Sequence, residues 1–183
     1  MALKSTICKA ALQVADMDRH YYAEHALTVA RHPSETDERM MVRILVFALH
    51  ASESLAFGKG LSDADDPDLS QRDLTGAIEL WIEVGQPDER SILKACGRAE
   101  RVVVYAYGQS ASLWWKGIAG KVERARNLAV RAIAPSSSAK LAALADRTMD
   151  LQCTIHDGEV WLRNGDAEAR IELATLFEPP STR

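Results

Sequence analysis

A chain of 183 residues, 47% of them hydrophobic and 26% charged, has the profile of one well-cored globular domain and not that of a disordered chain. A formal net charge of -4 argues against broad, nonspecific nucleic-acid binding, while leaving room for a local basic stripe. Three scattered cysteines, Cys8, Cys96 and Cys153, without CxxC spacing, argue against a cysteine zinc site and fit a reducing cytoplasm better than a disulfide framework.

Lys4 and Lys9 interrupt the apolar residues at the N-terminus, so it does not read as a signal peptide. No run approaches the length of a membrane span, and the expectation is a cytoplasmic protein without a membrane partner.

In chain order, "LKSTICKAALQV" (3–14) and "YYAEHALTVAR" (21–31) read as strands joined by the polar hairpin loop "ADMDRH". Ser34, with Asp37 three positions on, predicts an N-cap opening a helix that runs to about Phe57. On that helix Met41, Ile44, Leu45, Ala48 and Leu49 form an apolar stripe, with Arg39, Arg43 and His50 on the opposite, polar side. Glu38 falls in line with Val42, Leu45 and Leu49, and so points towards the core side.

"FGKG" starts an irregular or strand-like segment, followed by four aspartates between positions 63 and 68. The pieces around "PDLSQ" and "AIELWIEVG" read as consecutive strands separated by a "RDLTG" turn. A helix over 88–100 follows, with Asp88 and Glu89 at its positive end, and then the strand "RVVVYAYG". The pattern continues with a helical stretch over 110–133, a break at "APSSS" and a shorter helix over 138–147. The tail reads as a three-stranded meander with Asp157-Gly158 and Asn164-Gly165 turns. The expectation is one α/β domain over 1–183, whose terminal strands (about 3–31 and 150–177) form an additional antiparallel sheet.

The strand 79–84 carries Glu79, Trp81 and Glu83 on one face. Taken alone, that is an edge strand with a solvated face. Asp68, after Pro67, lies in what reads as the neighbouring strand, and two such carboxylates can converge on Mg²⁺ or Mn²⁺. Glu38 is a candidate third metal ligand. Arg90, Lys94, Arg98 and Arg101 follow at helical spacing, either as a solvated face or as a row of phosphate contacts.

Other constellations carry less. The five histidines share no ligand spacing, the serines lack a nucleophile elbow, and "FGKGLS" has the wrong glycine spacing for a phosphate loop. Trp114 and Trp115 among lysines and arginines read either as helix packing or as a base-stacking surface. The aspartate run 63–66 reads as a solvated loop.

The order helix, strands with Pro67-Asp68 and Glu83-Val84-Gly85, basic helix, strand resembles the PD-(D/E)XK nuclease superfamily over about 34–107. A closer resemblance covers nearly the whole chain. "MALKSTI", "ARHPSETDERMMVR" and "IELWIEVGQPDERSILKACGRAERVVVYAYG" are similar to the YaeQ family of small bacterial proteins. That resemblance implies a restriction-endonuclease-like αβββαβ core with an extra sheet.

The superfamily pattern places a lysine two positions after the glutamate, where this chain has Gly85. Lys94 on the next helix, resembling a migrated lysine, or Gln86 would have to orient the attacking water. The resulting expectation is a Mg²⁺- or Mn²⁺-dependent nuclease. Asp68 and Glu83 would be its metal and catalytic acids, with Glu38 assisting and Arg90, Arg98 and Arg101 contacting nucleic acid. The alternatives are a catalytically lapsed nucleic-acid-binding or transcription-associated protein on the same scaffold, or a site for a phosphorylated small molecule.

Overall fold

The computed structural model describes residues 3–63 and 65–180. Two long strands, β1 (Thr6–Asp16) and β2 (Tyr21–Arg31), form an antiparallel hairpin with strict inside–outside alternation along β1. Helix α1 (Asp37–Leu49) follows. Its N-cap is Thr36, whose hydroxyl accepts from Arg39 N at 3.1 Å, and not Ser34, which instead meets the His32 ring. The helix also stops well before Phe57: Ser52 Oγ accepts from Leu55 N and turns the chain into β3 (Leu55–Phe57).

β4 (Leu69–Arg72) and β5 (Ile78–Val84) form the expected consecutive strands. Helix α2 (Glu89–Cys96) is shorter than expected because Gly97 caps it, its N–H bonding to Leu93 O, and β6 (Ala99–Tyr107) begins at once. The stretch expected to be helical over 110–133 divides into α3 (Ala111–Val122) and a strand, β7 (Leu128–Ile133). Parallel pairing with β6, Val102 opposite Leu128, overrides the helix-favouring alanines and arginine there. Helix α4 occupies Pro135–Ala143, starting on proline, rather than 138–147.

The chain ends in β8 (Thr148–His156), β9 (Glu159–Asn164), β10 (Ala167–Ile171) and β11 (Leu173–Phe177). One sheet has the order β10-β9-β8-β1-β2 and the other β11-β7-β6-β5-β4-β3. The first joins both ends of the chain as expected, but it is mixed: β1 runs parallel to β8, with Lys9 opposite Thr148. The last strand of the tail leaves it and pairs with β7 in the other sheet.

Met40 to Ala48 are all buried, so α1 is covered on every side. It lies between the two sheets, in a core shared by Leu12 and Leu151 from one and Ile82 and Val103 from the other. α2 and α3 cover the far face of the second sheet over Trp81, Val102 and Val104. β5 is therefore an interior strand with both faces covered, not a solvated edge.

Candidate acidic site at the end of β5

Gly58, just after β3, determines where Asp68 sits. Its N–H donates to Asp68 O at 2.8 Å, and a Cβ there would fall 1.8 Å from Pro67 O. Only glycine lets the two backbones approach so closely. Asp68, 5% exposed, is thereby held at the carboxyl end of β5, where its Oδ2 accepts from Val84 N (2.7 Å) and its Oδ1 from Arg39 Nη2 (2.6 Å). Arg39 also reaches Val84 O at 3.3 Å and so brackets the strand end.

The Glu83 side chain meets Asp68 here. Burial pushes the Glu83 carboxyl up to about 7, and the Asp68 charge and a carboxyl–carboxyl hydrogen bond push the same way. The indole N–H of Trp81, donating to Glu83 Oε1 at 2.7 Å, and the Arg39 charge oppose the rise. Two neighbouring carboxyl groups at the end of one buried strand form a donor set that fits a hard divalent cation.

Behind the acids lies an ionic cluster that pattern reading placed on a solvated face. Glu35 and Arg43, 4% and 2% exposed, are joined by two bonds of 2.7 Å, and Arg39 reaches Glu35 Oε1 at 2.8 Å. Arg39 and Arg43 thus do not form a polar outer side of α1; they are core residues with a buried counter-charge. The signal available in the sequence was the ladder Glu35, Arg39, Arg43, at every fourth position, leading into "ILVFAL", a helix apolar on all sides.

The other candidate residues are dispersed. Glu38 is half-buried on the first turn of α1, near the Tyr107 phenol. Among the described residues it does not form a tight three-ligand group with Asp68 and Glu83; the one such grouping is Asp18, His156 and Asp157, all exposed. There the Asp18 carboxylate accepts from the N–H groups of Asp157 and Gly158, bracing one turn against another.

Gly85 has φ +120°, a conformation that a lysine side chain would strain, so the missing lysine has a backbone reason. Gln86 points away, donating to Ser110 Oγ at 2.8 Å. Lys94 lines a small cavity together with Glu83, but is paired with Asp65 at 2.5 Å. Among the described residues, the cation bonded to Asp68 is Arg39.

The four-residue basic stripe also comes apart. Arg90 and Lys94 are exposed on α2, Arg98 follows the helix, and Arg101 is on β6. Arg101 shares the face of Val103 and Tyr105, where its charge bears on the His50 ring beneath α1, on the opposite side of the sheet from Arg90 and Arg98.

Glu79 likewise parts from Glu83. The β4–β5 register shifts beside it, and its carboxylate accepts from Gln71, which is tied to Ser52. Trp114 donates to Pro87 O and Trp115 packs on Phe177, so the tryptophan pair seats α3 on the sheet. Larger cavities, of about 420 and 390 Å³, lie elsewhere: one is bordered by Gly108 and Pro135, the other by Ser54 and Arg72.

A family model described as YaeQ protein matches residues 1–173. The chain is 46% identical to the uncharacterised protein YaeQ of Salmonella typhi over 182 residues, covering 99% of this chain and all of that one. It is 44% identical to that of Escherichia coli (strain K12) over the same length and shares. The crystal structure of YaeQ from Xanthomonas axonopodis pv. citri superposes with a TM-score of 0.92 at 46% identity, covering 96% of this chain and 99% of that one. The structure from Pseudomonas syringae gives 0.89 at 34% identity, with 95% and 97% covered.

Proposed function

The chain belongs to the YaeQ family, and from its acid pair we propose that it is a divalent-metal-dependent phosphodiesterase acting on nucleic acid, on a variation of the PD-(D/E)XK fold. The observation that carries this is the meeting of Asp68 and Glu83 at the end of β5, with one carboxyl raised to about 7. The element order α1, β3, β4, β5, α2, β6 supports it, as the αβββαβ succession of that superfamily.

A bound Mg²⁺ or Mn²⁺ supplies positive charge for the phosphate oxygens and for a water. Asp68 and Glu83 would hold it, and the bonds from Arg39 and Val84 N fix the Asp68 carboxylate in one orientation. No helix is long and apolar enough to cross a membrane among the described residues, in keeping with a cytoplasmic place of action.

Calorimetric titration of Mn²⁺ and Mg²⁺ into the wild type and Glu83→Gln tests the site. Binding that falls at least about tenfold in the variant is the expected result. Equal binding in both, or none in either, counts against it.

A second, noncatalytic reading is favoured by Gly85 at the lysine position and by the engagement of both Asp68 oxygens. A scaffold of that kind binds nucleic acid with an affinity that survives loss of both acids and drops when Arg90 and Arg98 are neutralised.

A further inference from the structure

Beside Glu83 lies a cavity of about 30 Å³, lined by Trp81, Ser91, Lys94 and Arg98 and bordered by Asp65. Lys94 Nζ contacts Asp65 Oδ1 at 2.5 Å, and Arg98 Nη1 donates to Asp65 O at 3.0 Å. The Arg98 guanidinium lies over the Trp81 ring, 4.9 Å from its centroid, and the same indole donates to Glu83. A continuous chain of contacts therefore runs from the acidic loop, through Arg98 and the Trp81 ring, to Glu83, with Lys94 joining it at Asp65.

Asp65 is 71% exposed and Lys94 57%, so their contact contributes little to holding the fold. Its consequence is local: the Asp65 carboxylate is parked on Lys94 and its backbone carbonyl on Arg98, two cations that line the same cavity as Glu83. We propose that Lys94 and Arg98, with the Ser91 hydroxyl, form a seat for the phosphate of a phosphate ester, and that Asp65 fills the seat in the free protein and leaves when phosphate arrives.

Carboxylate and phosphate both accept charge-assisted hydrogen bonds, but phosphate brings more oxygens and more charge to the same donors. Stacking on Trp81 holds the Arg98 fork in place before any ligand arrives. The present cavity has room for about one water, so a phosphate enters only once Asp65 withdraws. This extends the phosphodiesterase reading by naming the group that holds the substrate, and it rests on that reading for the substrate's identity. The seat itself needs no metal.

The test is calorimetry of inorganic phosphate in EDTA at low ionic strength, with the wild type, Asp65→Asn and a charge-matched neighbour, Asp66→Asn. Asp65→Asn is expected to bind phosphate about fivefold more tightly, and Asp66→Asn to stay within about twofold of wild type. Adding Arg98→Ala or Lys94→Ala to Asp65→Asn is expected to remove the gain. The proposal is overturned by no gain in Asp65→Asn, by an equal gain in Asp66→Asn, or by a gain that survives either Arg98→Ala or Lys94→Ala.

A second arm replaces phosphate with a short single-stranded oligothymidylate. A gain for both ligands identifies an internal phosphodiester, and a gain for inorganic phosphate alone identifies a monoester. Because EDTA is present, a failed metal titration sinks the phosphodiesterase reading and leaves the phosphate result standing.

Discussion

Between the ordinary carboxylate range and about pH 7 the folded protein keeps a proton on Glu83 that the unfolded chain has already released. The native state binds more protons in that window, so this group's contribution to stability falls as pH rises through it. Glu83→Gln mimics the protonated form at every pH. In EDTA it is expected to be more stable than wild type at pH 8, by on the order of 1–2 kcal/mol after discounting for partial solvation, and to match it near pH 4. Thermal melts at both values decide this, and an equal offset at both would count against a raised carboxyl.

At this scale the two acids stood out because Asp68, after Pro67, and Glu83 read as lying on neighbouring strands, although such a pair is common by chance. Arg39 did not, because a charge ladder on a helix reads the same whether it faces water or a buried carboxylate. What distinguishes the cases is Glu35, whose burial depends on chain packing that no local window contains. Gln86 and Lys94 were plausible stand-ins by spacing alone. The Gly85 turn and the Asp65 contact, both three-dimensional, place one away from the acids and occupy the other.

Strands were readable where β-branched residues cluster, as in "VVVYAY", and where turns carry Asn-Gly or Asp-Gly. They were not readable at "LAVRAI", whose alanines and arginine suit a helix and whose strand character comes from lying beside β6. The αβββαβ order could be written down from the sequence; the change of sheet at β11 could not, because it takes place across the single residue Glu172.

The glycine after β3 yields a test at the level of elements. Gly58→Ala drives a methyl into the Pro67 carbonyl, and neither backbone segment can yield without moving Asp68. The variant is expected to lose about 1–3 kcal/mol of stability in urea titration and to bind Mn²⁺ more weakly than wild type. An unchanged midpoint would mean that β3 and the Pro67 segment slide apart freely.

For the whole molecule, the covered helix α1 sets the behaviour. It supplies the middle of a core shared by both sheets, so neither sheet keeps its apolar face buried if the other leaves. Unfolding is therefore expected to be a single transition, with far-UV circular dichroism and tryptophan fluorescence giving coincident midpoints. Separate midpoints would show that the sheets hold together independently.

The parallel pairing of β1 with β8 has a further consequence while the chain is being made. β1 and β2 are made well before the strand that flanks β1 on its other side and the two beyond it. The β1–β2 hairpin, and α1 after it, wait with one apolar flank uncovered until β8 to β10 have followed. A nascent chain stalled before β8 is a natural client for a chaperone, and one released after β10 can close its first sheet unaided.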